Sequence, residues 1–138
     1  MLADDRIEIA DLHARLAVFL DEGRFEDAGS VYADDVEVRN PQGGTFQGIA
    51  TVVENLRRGR IDGERSQRRL TDVVVDLAGD EASTSANSLV HAYREGQAPH
   101  RTSSMRMAFT VVRTPVGWRF RSVRMNLVWT RADLPAAG

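Results

Sequence analysis

The sequence has no cysteine and no lysine. Without cysteine there are no disulfides, no thiolate nucleophile and no cysteine-based metal site, a pattern that fits a cytoplasmic setting. Without lysine, all 18 positive charges are arginine, so no side chain can form a Schiff base with a carbonyl substrate. Long apolar runs are missing too. The "VVV" at 73–75 falls far short of the roughly 20 residues of a membrane span, so no membrane partner is expected. The acidic start "MLADDRIEIAD" does not read as a targeting peptide, which needs a basic and then apolar opening. A formal net charge of −2 gives no general electrostatic reason to bind nucleic acid. The three histidines show no ligand spacing and no tight acid cluster accompanies them, so no metal is expected.

What is present fits one globular domain. At 138 residues and 42% hydrophobic content, the chain can bury a single core. A core over 7–129 and a frayed tail over 130–138 are expected. In "IEIADLHARLAVFLDE" (7–22), Ile9, Leu12, Leu16, Phe19 and Leu20 recur at helical spacing, and Gly23 follows as a stop signal. "FEDAGSVYA" (25–33) predicts a short second helix, "DDVEVRN" (34–40) a strand closed by "PQGG", and "GIATVVENLRR" (48–58) a third helix. From residue 65 the pattern changes to long strands joined at "AGDE", "GQAP" and "TPVG". Helices first and an antiparallel meander after predict an α+β domain, with a mostly antiparallel sheet curled over the helices around a hollow.

"SLVHAYRE" (88–95) places His91 between Leu89 and Tyr93 on one strand face. A lone histidine there is ordinarily a structural group satisfied by a hydrogen bond. Strand parity, with "GQAP" as the turn, puts Met105 opposite His91, continues through Met107 and Phe109, and brings Val123, Met125 and Leu127 to the same face. Methionine suits an adaptable apolar wall, and ordinary core packing explains the stripe equally well; a one-residue slip would turn every one of these side chains outward. Tyr32 can offer a hydroxyl to such a pocket or pack with it at the surface. His13, on the helix flank, and His100, in a turn, read as surface groups.

The segments "FLDEGRFEDAGSVYADDVEV", "GTFQGIATVVENLRR", "RSQRRLTDVVVDLAGDEA", "GWRF" and the closing "VW" together resemble the nuclear-transport-factor-2-like superfamily, in its SnoaL-like and scytalone-dehydratase-like branch. The resemblance runs from about Ile7 to Trp129. It implies a cone: a bent sheet around three helices, with a mostly apolar pocket at one end. It also implies an Asp–His pair working across that pocket without a cofactor, which falls on Asp21 and His91. Two departures stand out. Arg68, in "SQR", replaces a second histidine, and Leu20 replaces a tyrosine before the aspartate. Arg68 presents a fixed positive charge suited to a carboxylate, enolate or phenolate oxygen. The expected function is thus a small dehydratase, isomerase or cyclase acting on an apolar, polyketide-like molecule. Asp21 and His91 would be catalytic, and Arg68, Tyr32, Met105, Met107 and Met125 would bind substrate. The alternatives are an aldol cyclase or epoxide-opening enzyme using acids alone, and a binding or assembly module without chemistry. A homodimer, or a trimer, is also implied.

Overall fold

The computed structural model describes residues 2–132. Helix α1 (Leu2–Glu22) is followed by a 3₁₀ turn (Phe25–Ser30), strand β1 (Tyr32–Arg39), short strand β2 (Thr45–Gln47) and helix α2 (Ile49–Arg58). Four long strands complete the chain: β3 (Glu64–Ala78), β4 (Glu81–Arg94), β5 (Arg101–Thr114) and β6 (Gly117–Ala132). They form one curved sheet in the order β2-β1-β6-β5-β4-β3. Every neighbouring pair is antiparallel except β1 and β6, which run parallel with Val38 beside Val123.

Helix α1 carries acids in its first turn, Asp4 and Asp5, where the helix dipole favours them. It ends at Gly23, whose φ of 68° is the left-handed conformation a helix C-terminus often takes; its N–H closes the last turn on Phe19 O at 3.0 Å. The stripe Ile9, Leu12, Leu16 and Phe19 is buried against Val36, Val52, Phe109, Val111, Trp118 and Phe120. Each such side chain contributes roughly 1.5–3 kcal/mol by leaving water.

The structure corrects several expectations. The second helix is only a six-residue 3₁₀ turn, because Val31 leaves it to accept Phe120 N–H at 2.8 Å and Tyr32 already belongs to β1. Strand β2 was not anticipated; three residues are too short to leave a pattern. Thr130–Ala132 are not tail: they pair with Arg101–Ser103, and the remainder of the expected tail lies outside the described residues. His13 is the largest departure. It is 1% exposed, since it stands four residues after Ile9 and three before Leu16, within the apolar stripe itself. A carbonyl only accepts, so Nδ1 donates to Ile9 O (2.7 Å) and Nε2 is left to accept from Thr84 Oγ1 (2.8 Å). The rings of Phe109 and Phe120 meet it edge-on at 4.9 and 5.0 Å. Burial holds its pKa below the ordinary histidine value.

Polar ties fasten the start of α1 to the sheet, with Arg6 Nη1 donating to Val75 O at 2.7 Å. Asp5 accepts from Arg113 Nη2 at 2.8 Å and from Trp118 Nε1 at 3.2 Å, while the Arg113 guanidinium stacks 4.6 Å from the Trp118 ring centre. The Arg113 hydrogen bond, with smaller help from Trp118, keeps the Asp5 carboxyl below its usual range. No helix in the described residues is long and apolar enough to cross a membrane.

Candidate active site

Successive side chains of a strand alternate between faces. In β3 the inward series is Glu64, Ser66, Arg68 and Leu70, and in β4 it is Ala86, Ser88, Val90 and Ala92. The end of α1 faces the start of β3, and there Asp21 is fixed. Its Oδ1 accepts from Ser66 Oγ (2.9 Å) and Arg68 Nη1 (2.8 Å), and its Oδ2 accepts from the Arg68 backbone N–H (2.8 Å). Arg68 Nη1 also donates to Ser66 Oγ at 2.9 Å. The two charged side chains are only 20% and 24% exposed. A carboxylate near a helix C-terminus opposes the dipole; here the guanidinium and two further donors offset that cost.

This cluster sits in the wall of a cavity of about 490 Å³ that also involves Leu20, Phe25, Leu56, Ile61, Glu64, Val90 and Arg101. Glu64, 14% exposed, accepts from Arg101 Nη2 at 3.1 Å and is paired with His100 Nε2 at 2.9 Å. His100 is therefore held half-buried against Glu64 rather than free in a turn. A second hollow of about 290 Å³ adjoins the first, shares Val90, Ala92 and Arg101 with it, and is bordered by Met105 and Leu127.

His91 is not in either wall. Its neighbours Val90 and Ala92 point inward, so its ring is on the outer face of the sheet, where Nδ1 and Thr102 Oγ1 are 3.0 Å apart. Asp21 and His91 are thus not brought together. The cause is the hairpin. The chain turns at Arg94–Gln97, with Gln97 N–H donating to Arg94 O at 2.9 Å and Gly96 at φ 75°. Pro99, lacking an N–H, stays in the loop. Met105 consequently faces Ser88, and His91 faces Thr102. The offset from the expected pairing is three residues, an odd number, which reverses the face of β4 relative to β5.

The methionine face itself lies inward as the parity of β5 and β6 requires: Met105 is level with Leu127, Met107 with Met125 and Phe109 with Val123. Met107 is a core residue, 7% exposed, and Met125 packs half-buried against the core; only Met105 borders a hollow. Tyr32 is outside the cavity wall, 5% exposed and edge-on to Phe19 at 5.7 Å. Burial pushes its hydroxyl far above the usual tyrosine range, against a smaller opposing pull from Arg68. It therefore keeps its proton and can only serve as a neutral hydrogen-bonding group.

Sequence reasoning missed Ser66, Glu64, Phe25 and Arg101 as cavity residues. For the first two a signal existed: "ERSQR" sets Glu64, Ser66 and Arg68 two apart, on one face. Among the described residues, no three side chains of metal-binding type converge.

The same architecture recurs in solved structures. A protein from Novosphingobium aromaticivorans, characterised as NTF2-like with a cystatin-like fold, is 29% identical, with a TM-score of 0.76 over 99% of this chain and 87% of its own. A second protein from that organism, named for scytalone dehydratase, is 17% identical with a TM-score of 0.80, covering 99% and 95%. A hexachlorocyclohexane dehydrochlorinase is 15% identical with a TM-score of 0.79, covering 99% and 96%. For the last two the likeness is one of fold. No curated protein is detectably similar in sequence. The model of the SnoaL-like domain matches residues 2–124, and the chain belongs to that family.

Proposed function

We propose that the chain is a small enzyme, working without a cofactor, that moves a proton on an apolar carbonyl-bearing molecule as a dehydratase, isomerase or cyclase. The observation that carries this is the contact between Asp21 and Arg68 in the wall of a cavity of about 490 Å³, a size that suits a small ligand. Removing a proton next to a carbonyl needs a base and an oxyanion-binding group side by side, because the carbon and the oxygen are only two bonds apart. Asp21 and Arg68 are such neighbours. Arg68 spends Nη1 on Asp21 and Ser66, leaving Nε and Nη2 for a developing enolate. A carboxylate has about four lone-pair sites and Asp21 has three donors upon it, so one site is left to take the proton. The reading agrees with the names of two fold neighbours, one named for a dehydratase and one for a dehydrochlorinase.

With His91 on the outer face, the acids-alone chemistry is favoured over an Asp–His pair. The test is turnover of a panel of polycyclic aromatic ketones. Asp21→Asn and Arg68→Leu should each lower the rate by roughly 10²–10³, with His91→Ala within about threefold of the parent protein. Loss in His91→Ala as large as in Asp21→Asn would overturn the assignment. The near-complete occupation of Asp21 supports a second reading, a binding module without chemistry. Binding of these ketones with no conversion would establish that reading and end the first.

A further inference from the structure

Five arginines and only two acidic residues border the cavity beside Asp21: Arg58, Arg60, Arg65, Arg68 and Arg101 against Asp21 and Glu64. Four of the five are matched. Arg68 pairs with Asp21 and Arg101 with Glu64, while Arg58 and Arg65 turn to Glu54 and Glu95. Arg60 alone has no carboxylate partner among the described residues. It is nevertheless held in place. Its guanidinium carbon lies 5.6 Å from the centre of the Phe25 ring, and Arg57, likewise without a carboxylate partner among the described residues, lies 5.8 Å from the same centre. Its Nη1 rests on Gly23, where an added Cβ would come within 2.0 Å of it. An aromatic face and a bare backbone fix the fork without using its N–H donors. Two cations converge on one ring with no anion between them, and Ile61, 50% exposed, extends the apolar surface at the same rim.

We propose that the ligand of this cavity is an aromatic or polycyclic acid whose carboxylate is bound by Arg60 at the rim, with its apolar body against Phe25, Leu56 and Ile61. A guanidinium fork with free donors matches a carboxylate in two parallel hydrogen bonds, and the apolar surroundings match the rest of such a molecule. This deepens the proposed function by naming the substrate class, and it rests on the cavity being the ligand site. It assigns Arg60 a specificity role, separate from the proton transfer at Asp21 and Arg68.

Calorimetric titration of the full chain at low salt with 2-naphthoate and with 2-acetonaphthone tests it. The two probes share a ring system and differ in charge. Naphthoate should bind at least tenfold more tightly, and Arg60→Gln should remove that preference while leaving ketone binding unchanged. Arg60→Lys should restore part of it. Arg106→Gln, a change on the outer face, should leave both affinities as they were. Equal affinity for the two probes, no naphthoate binding, retention of the preference in Arg60→Gln, or equal loss in Arg106→Gln would each overturn the inference. Failure of the ketone panel to be converted, with the naphthoate preference intact, would sink the proposed chemistry and leave this assignment standing.

Discussion

Arg68 donates to Asp21 twice, once through its backbone N–H and once through Nη1, each at 2.8 Å. The first bond ties the end of α1 to the backbone of β3, and the second aligns the charge that the cavity presents. One carboxylate thus serves both anchoring and electrostatics. Asp21→Ala should destabilise the fold by about 1–3 kcal/mol, because it strands a half-buried guanidinium and two other donors. Chemical denaturation would measure this; an unchanged midpoint would show that the contact is dispensable to stability.

His13 makes stability depend on pH. Its folded pKa is lowered by burial, so in the window below the ordinary value of about 6.5 the unfolded chain binds a proton that the folded chain resists. Stability is present above that value and is lost as pH falls through the window. The urea midpoint should therefore drop between pH 7.5 and 5.5, and His13→Gln should flatten the drop. A slope identical in the two proteins would contradict the assignment.

The bulge in β3 supplies a third measurement. Asp72 sits at φ 56°, where Asn87 Nδ2 donates to its carboxylate at 2.9 Å. Asp72→Gly should be close to neutral, as relief of the backbone offsets the lost hydrogen bonds from Asn87 and Thr71. Asp72→Val should cost about 1–3 kcal/mol. Thermal unfolding of the two variants would rank them, and the reverse order would refute the reading.

On the outer face, Leu89 and Trp129 flank Ser104 in one cross-strand row, and Trp129 is 47% exposed. We propose that this face carries the homodimer contact. Sedimentation equilibrium should return twice the chain mass, and Trp129→Glu should return the monomer. A parent protein that sediments as a monomer at high concentration would disprove it.

Much of the architecture was legible from period alone. The stripe of α1, the long strands and their meander follow from spacings of 3.6 and 2, which the chain keeps over many residues. Asp21 and Arg68 were singled out through the segments that flank them, and the structure brings the two side chains together in one cavity wall. His91 was misplaced for a local reason: the turn spans Arg94–Gln97, two residues earlier than the assumed Gly96–Pro99, and nothing in "REGQAP" separates a turn at "REGQ" from one at "GQAP". His13 was misplaced for the opposite reason, its polarity outweighing a helical position that the stripe already defined. That Arg60 has no carboxylate partner among the described residues was beyond sequence, since it depends on which acids lie within reach.

The parallel pairing of β1 with β6 also bears on how the protein is made. Strand β1 is synthesised early, yet the strand that flanks it, β6, comes last, and both Val36 and Phe120 are fully buried in the core they share. A nascent chain that ends before β6 leaves the apolar side of β1 and α1 without its cover. Contacts so distant in sequence form slowly and expose sticky surface meanwhile. Ribosome-bound chains cut short before Gly117 should thus stay protease-sensitive and engage chaperones, with protection arriving only once β6 has left the exit tunnel.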